Sequence, residues 1–112
     1  WTVQALSSDI QALTAGYWLS GENPWDGHAT YWKQSPLSLV GQVVTPTLLM
    51  TGEADYRTPI AQTEMYYQAL KLRDVPAMKV RLPEANHGMG RPTQWIASNL
   101  AVIEWFERFR VR

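Results

Sequence analysis

The apolar positions of this chain change period twice between Val43 and Leu82. Val43, Val44, Leu48, Leu49 and Met50 form a nearly continuous apolar run, the pattern of a strand covered on both faces. Gly52 follows and is expected to let the backbone turn sharply, leaving Asp55 above the sheet. From Ile60 the period becomes helical: Ile60, Tyr67 and Leu70, flanked by Tyr66 and Ala69, share one face, while Glu64, Gln68 and Lys71 face water. Thr58 and Pro59 read as a side-chain cap and a first-turn proline for that helix, which should stop near Leu72 and Arg73. Met78, Val80 and Leu82 then alternate with Lys79 and Arg81, predicting a half-buried strand with its charges on the outer face. The order strand, helix, strand predicts an α/β architecture.

The flanks are less regular. Pro92 and Thr93 should start a last helix whose stripe of Ile96, Leu100, Ile103 and Phe106, widened by Trp95, Val102 and Phe109, predicts burial against the sheet. Arg108, Arg110 and Arg112 suit the negative pole at its end. Near the start, Ser7, Ser8 and Asp9 precede Ile10, Ala12, Leu13 and Ala15, the pattern of a capped helix, with Trp1 near the end of a preceding strand. From Tyr17 to Trp32 the chain is aromatic and turn-rich. Tyr17, Trp18, Trp25, Tyr31 and Trp32 predict a compact loop with short helical pieces, and as a group they favour an apolar pocket.

Charge and composition narrow the function. Ten basic residues balance ten acidic ones, which gives no reason to expect a nucleic acid or an anionic membrane as partner. No apolar run is long enough for a bilayer span, and WTVQAL lacks the pattern of a signal peptide. The absence of cysteine excludes internal disulfides and a thiolate nucleophile. Two distant histidines, His28 and His87, without H-E-x-x-H or cysteine, supply no metal site, and His28 reads as a solvated residue. A cytoplasmic and a periplasmic or secreted location both remain open, as does a homo-oligomer.

Two residues carry the candidate chemistry. Loops that leave the carboxyl ends of neighbouring strands converge over one crevice. Asp55 follows the first strand, and His87, in EANHG, follows the second. A carboxylate there can accept the imidazole N–H, fix the tautomer and stabilise the imidazolium that forms when the histidine takes a proton from a nucleophile. Acid before histidine matches the serine, acid, histidine order of α/β hydrolases. The serine itself is not in these residues: none of Ser7, Ser8, Ser20, Ser35, Ser38 or Ser98 sits in G-x-S-x-G. Arg57, two residues past the acid, is a candidate to hold a substrate carbonyl or carboxylate, with a surface salt bridge as its plainer reading.

The string TPTLLMTGEADYRTPIAQTEMYYQALKLRDVPAMKVRLPEANHGMGRP resembles the end of the catalytic domain in the prolyl oligopeptidase family of serine peptidases, nearest its dipeptidyl peptidase and acylaminoacyl peptidase branch. YWKQSPL (31–37) resembles the segment leading into the acid-bearing strand, and IEWFERF (103–109) the final helix. The resemblance implies the carboxyl-terminal portion of an α/β-hydrolase fold, a mostly parallel sheet flanked by helices, incomplete on its own. Residues 1–42 would be a helical and aromatic loop region over the site, and 43–112 the strand–helix–strand–helix unit carrying acid and histidine. It further implies Asp55 and His87 as catalytic residues, Tyr17, Trp18 and Trp25 as pocket walls, a short peptide as substrate, no cofactor, and the missing amino-terminal part of the same domain as partner. In that family glycine stands where this chain has Asp74, in the left-handed conformation that ends the helix, and often where it has Asn86; both residues tolerate positive φ. An esterase, thioesterase or dienelactone-type hydrolase using the same relay is the nearest rival, and a non-catalytic interaction fragment is the rival of another class.

Overall fold

The computed structural model describes residues 1–13, 16 and 21–110. At its centre β1 (Thr47–Gly52) and β2 (Ala77–Leu82) pair in parallel, in register from Thr47 opposite Ala77 to Gly52 opposite Leu82. The crossover between them is α4 (Ile60–Leu72), preceded by α1 (Thr2–Ser7), α2 (Gln11–Leu13), α3 (His28–Gln34) and a 3₁₀ helix over Pro36–Gln42; α5 (Pro92–Phe109) closes the chain. This is the α/β arrangement that the alternation of periods predicts.

β1 starts later than its apolar run. Val43 and Val44 lie outside it, and Val44 is largely exposed. Pro46 has no N–H to give a ladder, so pairing begins at Thr47, whose N–H donates to the Pro76 carbonyl at 2.9 Å. The end of α4 agrees with expectation. Asp74 takes φ 56°, its N–H reaches the Lys71 carbonyl (3.1 Å), and the Val75 N–H reaches that of Leu70 (3.1 Å). This pair of bonds satisfies carbonyls left open at the helix end, and both Leu70 and Val75 are buried beneath it. Lys79 is partly covered, and Arg81 keeps half of its side chain open to solvent. Both donate to Glu64 of α4 (3.1 and 3.2 Å), and Arg81 also to Glu53 (3.0 Å). The two charges of β2 are thus paired with one carboxylate of the crossover helix and one of the turn after β1.

One expectation fails for a physical reason. The stripe on α5 faces outward: Ile96, Leu100, Ile103 and Phe106 are all at least 59% exposed, whereas Gln94, Ser98 and Trp105 are buried. Two strands about 4.8 Å apart are narrower than a helix with its side chains, so they cover only part of its circumference. Gln94 fixes which part, donating through Nε2 to the Pro83 carbonyl (3.0 Å) and accepting from the Arg91 N–H (3.2 Å). At the other end the predicted cap is present: the Ser8 hydroxyl accepts from the Ile10 N–H (3.2 Å) just ahead of α2. Trp1 stands at the N-cap of α1, which ends at Ser7; Ala15, the last residue of the predicted helix, lies outside the described residues. A small core of Ala5 and Tyr31, with Trp1 against it, joins α1 to α3. Among the described residues no helix is long and apolar enough to cross a membrane.

Candidate active site

Hydrogen bonding between the two strands continues past the sheet into the turns. The Glu53 N–H donates to the Leu82 carbonyl and the Ala54 N–H to that of Ala85, both at 3.0 Å, so the turn after β1 and the turn after β2 are tied together. Gly52 is what permits this. A Cβ there would lie 2.1 Å from the Ala85 carbonyl oxygen, and Ala85 itself is fully buried. Close approach, rather than a special dihedral angle, is the reason for glycine at this position.

The acid turn then presents Asp55, only 8% exposed, with every lone-pair direction engaged. Its Oδ1 accepts from the backbone N–H groups of Arg57 (3.0 Å) and Thr58 (2.8 Å); its Oδ2 accepts from the Thr58 hydroxyl (2.8 Å) and meets His87 Nδ1 at 3.0 Å. Burial works to raise the Asp55 carboxyl, but the bonds from the Thr58 backbone, His87 and the Thr58 hydroxyl, with the His87 charge, outweigh it and hold the group below its ordinary value. An ionised carboxylate only accepts, so the shared proton belongs to Nδ1 and leaves Nε2 as the basic nitrogen of neutral His87.

His87 is the exposed partner, its side chain 58% accessible. The turn that carries it bends at Glu84 (φ 54°) and Met89 (φ 46°). Asn86, a residue that tolerates positive φ, does not adopt it. Its side-chain oxygen instead accepts from the Gly88 N–H (3.0 Å), an Asx turn that holds the loop without that conformation.

Sequence reasoning missed the clamp beneath the acid turn. Gln4 Nε2 (2.8 Å) and the Ser8 hydroxyl (2.7 Å) both donate to the Arg57 carbonyl, the Asp9 N–H donates to that of Tyr56 (2.9 Å), and Gln62 of α4 donates to Gln4 (2.7 Å). These contacts span some fifty positions of sequence and have no local signature. The sequence pattern offers Thr58 as a helix cap, yet no side-chain hydrogen bond caps α4; its hydroxyl turns to Asp55. An alcohol three residues after the acid was the available clue.

The other candidates divide. Arg57 lines a cavity of about 540 Å³ together with Thr58, His87, Gln62, Ile10 and Trp1. Its guanidinium is held by Asp9, Nε to Oδ1 at 2.6 Å and a second nitrogen to Oδ2 at 3.3 Å, and Asp9 raises its pKa further. Trp25 is 68% exposed and is not a wall of that cavity. Tyr17 and Trp18 lie outside the described residues. An apolar cavity of about 410 Å³, lined by Trp1, Val3, Trp32, Leu49, Met65 and Tyr66, reaches neither Asp55 nor His87. No cluster of metal-binding side chains occurs among the described residues.

A parallel strand pair delivering acid and then histidine to one crevice is an arrangement that can be compared across proteins. Residues 1–110 match the model of the prolyl oligopeptidase family. The chain belongs to that family. It is 38% identical over 72 residues to the acylamino-acid-releasing enzyme of Rattus norvegicus, covering 64% of this chain and 10% of that protein. To the uncharacterized peptidase YuxL of Bacillus subtilis it is 38% identical over 80 residues, covering 69% of this chain and 12% of the other. The Pyrococcus horikoshii acylaminoacyl peptidase superposes on it with a TM-score of 0.82 at 29% identity, over 96% of this chain and 18% of that one. The fold is that of part of an α/β-hydrolase domain, and the chain spans about a tenth of the length of the curated relatives it matches.

Proposed function

We propose that this chain carries the acid and the base of a serine peptidase acting on short peptides, in the manner of an acylaminoacyl or dipeptidyl peptidase. The observation that carries the reading is the Asp55–His87 bond at 3.0 Å, with the acid buried and the base open to the cavity. Membership of a family whose relatives are named as acylamino-acid-releasing enzymes and a dipeptidyl-peptidase supports the substrate class.

In this reading a serine from outside these residues is the nucleophile, since no serine here sits in the G-x-S-x-G pattern of a nucleophile elbow. His87 Nε2 takes the hydroxyl proton as the serine oxygen bonds to the substrate carbonyl carbon. The imidazolium then passes that proton to the departing amine, and water releases the acyl group by the same steps in reverse order. Asp55 keeps the Nδ1 proton in place and stabilises the imidazolium. Residues 1–42 would line the approach and 43–112 would carry the acid–base pair, with the preceding part of the same domain as the partner that completes the site. Arg57 would face the substrate from the cavity wall with its orientation set by Asp9.

The test is labelling of the intact protein that contains this sequence with a fluorophosphonate probe. Labelling is expected for the wild type and lost in His87→Ala, while the 112-residue chain alone takes none. Undiminished labelling of the histidine variant contradicts the assignment of the base.

A further inference from the structure

The Asp55 oxygen that holds His87 has a second tenant. Thr58 Oγ1 stands 2.8 Å from Asp55 Oδ2 and 3.4 Å from His87 Nδ1, so alcohol, carboxylate oxygen and imidazole form a tight triangle. Oδ1 is occupied separately by two backbone N–H groups. The position of the hydroxyl is not left to chance, because Pro59 follows it and α4 starts at Ile60 without a side-chain cap. A threonine at a helix start ordinarily turns its oxygen to the helix N–H groups; here that interaction is given up for the carboxylate.

We propose that Thr58 is a positioning residue of the acid–base pair: its hydroxyl shares Oδ2 with His87, fixing the carboxylate plane and moderating how strongly Asp55 holds the imidazolium. This deepens the peptidase reading and rests on it for its functional meaning. A carboxylate oxygen that accepts two donors offers less negative charge to each. Removing the hydroxyl therefore strengthens the pull on His87, favours the protonated ring, and leaves less of the neutral base at a given pH. The charged groups around the pair are Asp55 and Arg57 on the acid turn, Asp9 in the segment beneath it, and Glu84 with Arg91 on the histidine turn. The last two are paired at 2.5 Å, and Asp9 pairs with Arg57, so the Thr58 alcohol is the neutral donor through which the pair is tuned.

The experiment is an NMR titration of the imidazole of His87 in the intact protein that contains this sequence, as wild type, Thr58→Val and Thr58→Ser, with His28 as an internal reference. Thr58→Val should raise the His87 midpoint by about half a pH unit and leave His28 unmoved, and Thr58→Ser should restore the wild-type value. In an Asp55→Asn background the valine effect should vanish. A His87 midpoint that stays put or falls in Thr58→Val overturns the proposal. If the valine variant does not fold, ring ¹⁵N shifts of the wild type decide. The Nδ1–H tautomer is required, and an unprotonated Nδ1 means that Thr58 serves the histidine rather than the acid. In the intact protein the acid limb of fluorophosphonate labelling should move upward by the same half unit. Absence of labelling in every variant would overturn the peptidase reading while the titration still reports on Thr58, so the two failures are distinct.

Discussion

The acid turn and the histidine turn hold opposite ends of one hydrogen bond, and they are built in contrary ways. Asp55 is 8% exposed, accepts from four directions, and stands on a turn clamped from below by Gln4, Ser8 and Asp9. His87 is 58% exposed, and its turn relies on two residues of positive φ and an Asx turn. A fixed negative charge loses little by being enclosed when donors replace its water. A proton carrier must keep one nitrogen open to whatever it serves. The contrast shows where precision is needed: in the carboxylate, with the imidazole aligned against it.

The contrast can be broken or sharpened experimentally. The largest expected effect is on chemistry: in the intact protein, Asp55→Asn and His87→Ala should each lower the rate of fluorophosphonate labelling by ~10⁴-fold, since each removes a member of a unit. Equal labelling of either variant and the wild type would end the relay reading. Next comes Gly52→Val, where the first added carbon meets the Ala85 oxygen at 2.1 Å. A loss of ~3 kcal/mol in urea unfolding is expected because strand end and turn must separate. An unshifted midpoint would mean the two turns are not locked together.

Asp55→Ala should cost about 2 kcal/mol by stranding donors that point at the missing carboxylate. His87→Ala, at an exposed position, should stay within about 0.5 kcal/mol. Comparable losses from the two would erase the distinction between enclosed acid and open base. The smallest effect is the dependence on pH. The folded-state value of Asp55 is depressed, so its stabilisation is present above the ordinary value of 3.8 and fades as pH falls through it toward the lower folded value. The gap in urea midpoint between wild type and Asp55→Asn should therefore shrink on acidification from neutrality. A gap that widens would reverse the sign.

Much of this was legible in the residues. The shift from a continuous apolar run to helical and then alternating spacing placed β1, α4 and β2, and the order of Asp55 and His87 placed both on one side of the sheet. What could not be read was anything set by distant partners. The outward stripe of α5 is a case: amphipathicity says that a helix has an apolar face, and only the width of the available sheet and the Gln94–Pro83 bond decide which face is covered. Arg57 is another, because its partner Asp9 lies 48 positions away. Thr58 illustrates a third kind of miss, in which one local pattern fits two partners and the tertiary structure selects the carboxylate. Asn86 is the same lesson in backbone form: tolerance of positive φ is permission, and the chain bends at Glu84 and Met89 instead.

The close approach at Gly52 also bears on motion. Because the ladder runs on from the strands through Glu53 and Ala54, the loops bearing carboxylate and imidazole share one hydrogen-bonded mount. A displacement of one turn must therefore either break those two hydrogen bonds or take the other turn with it.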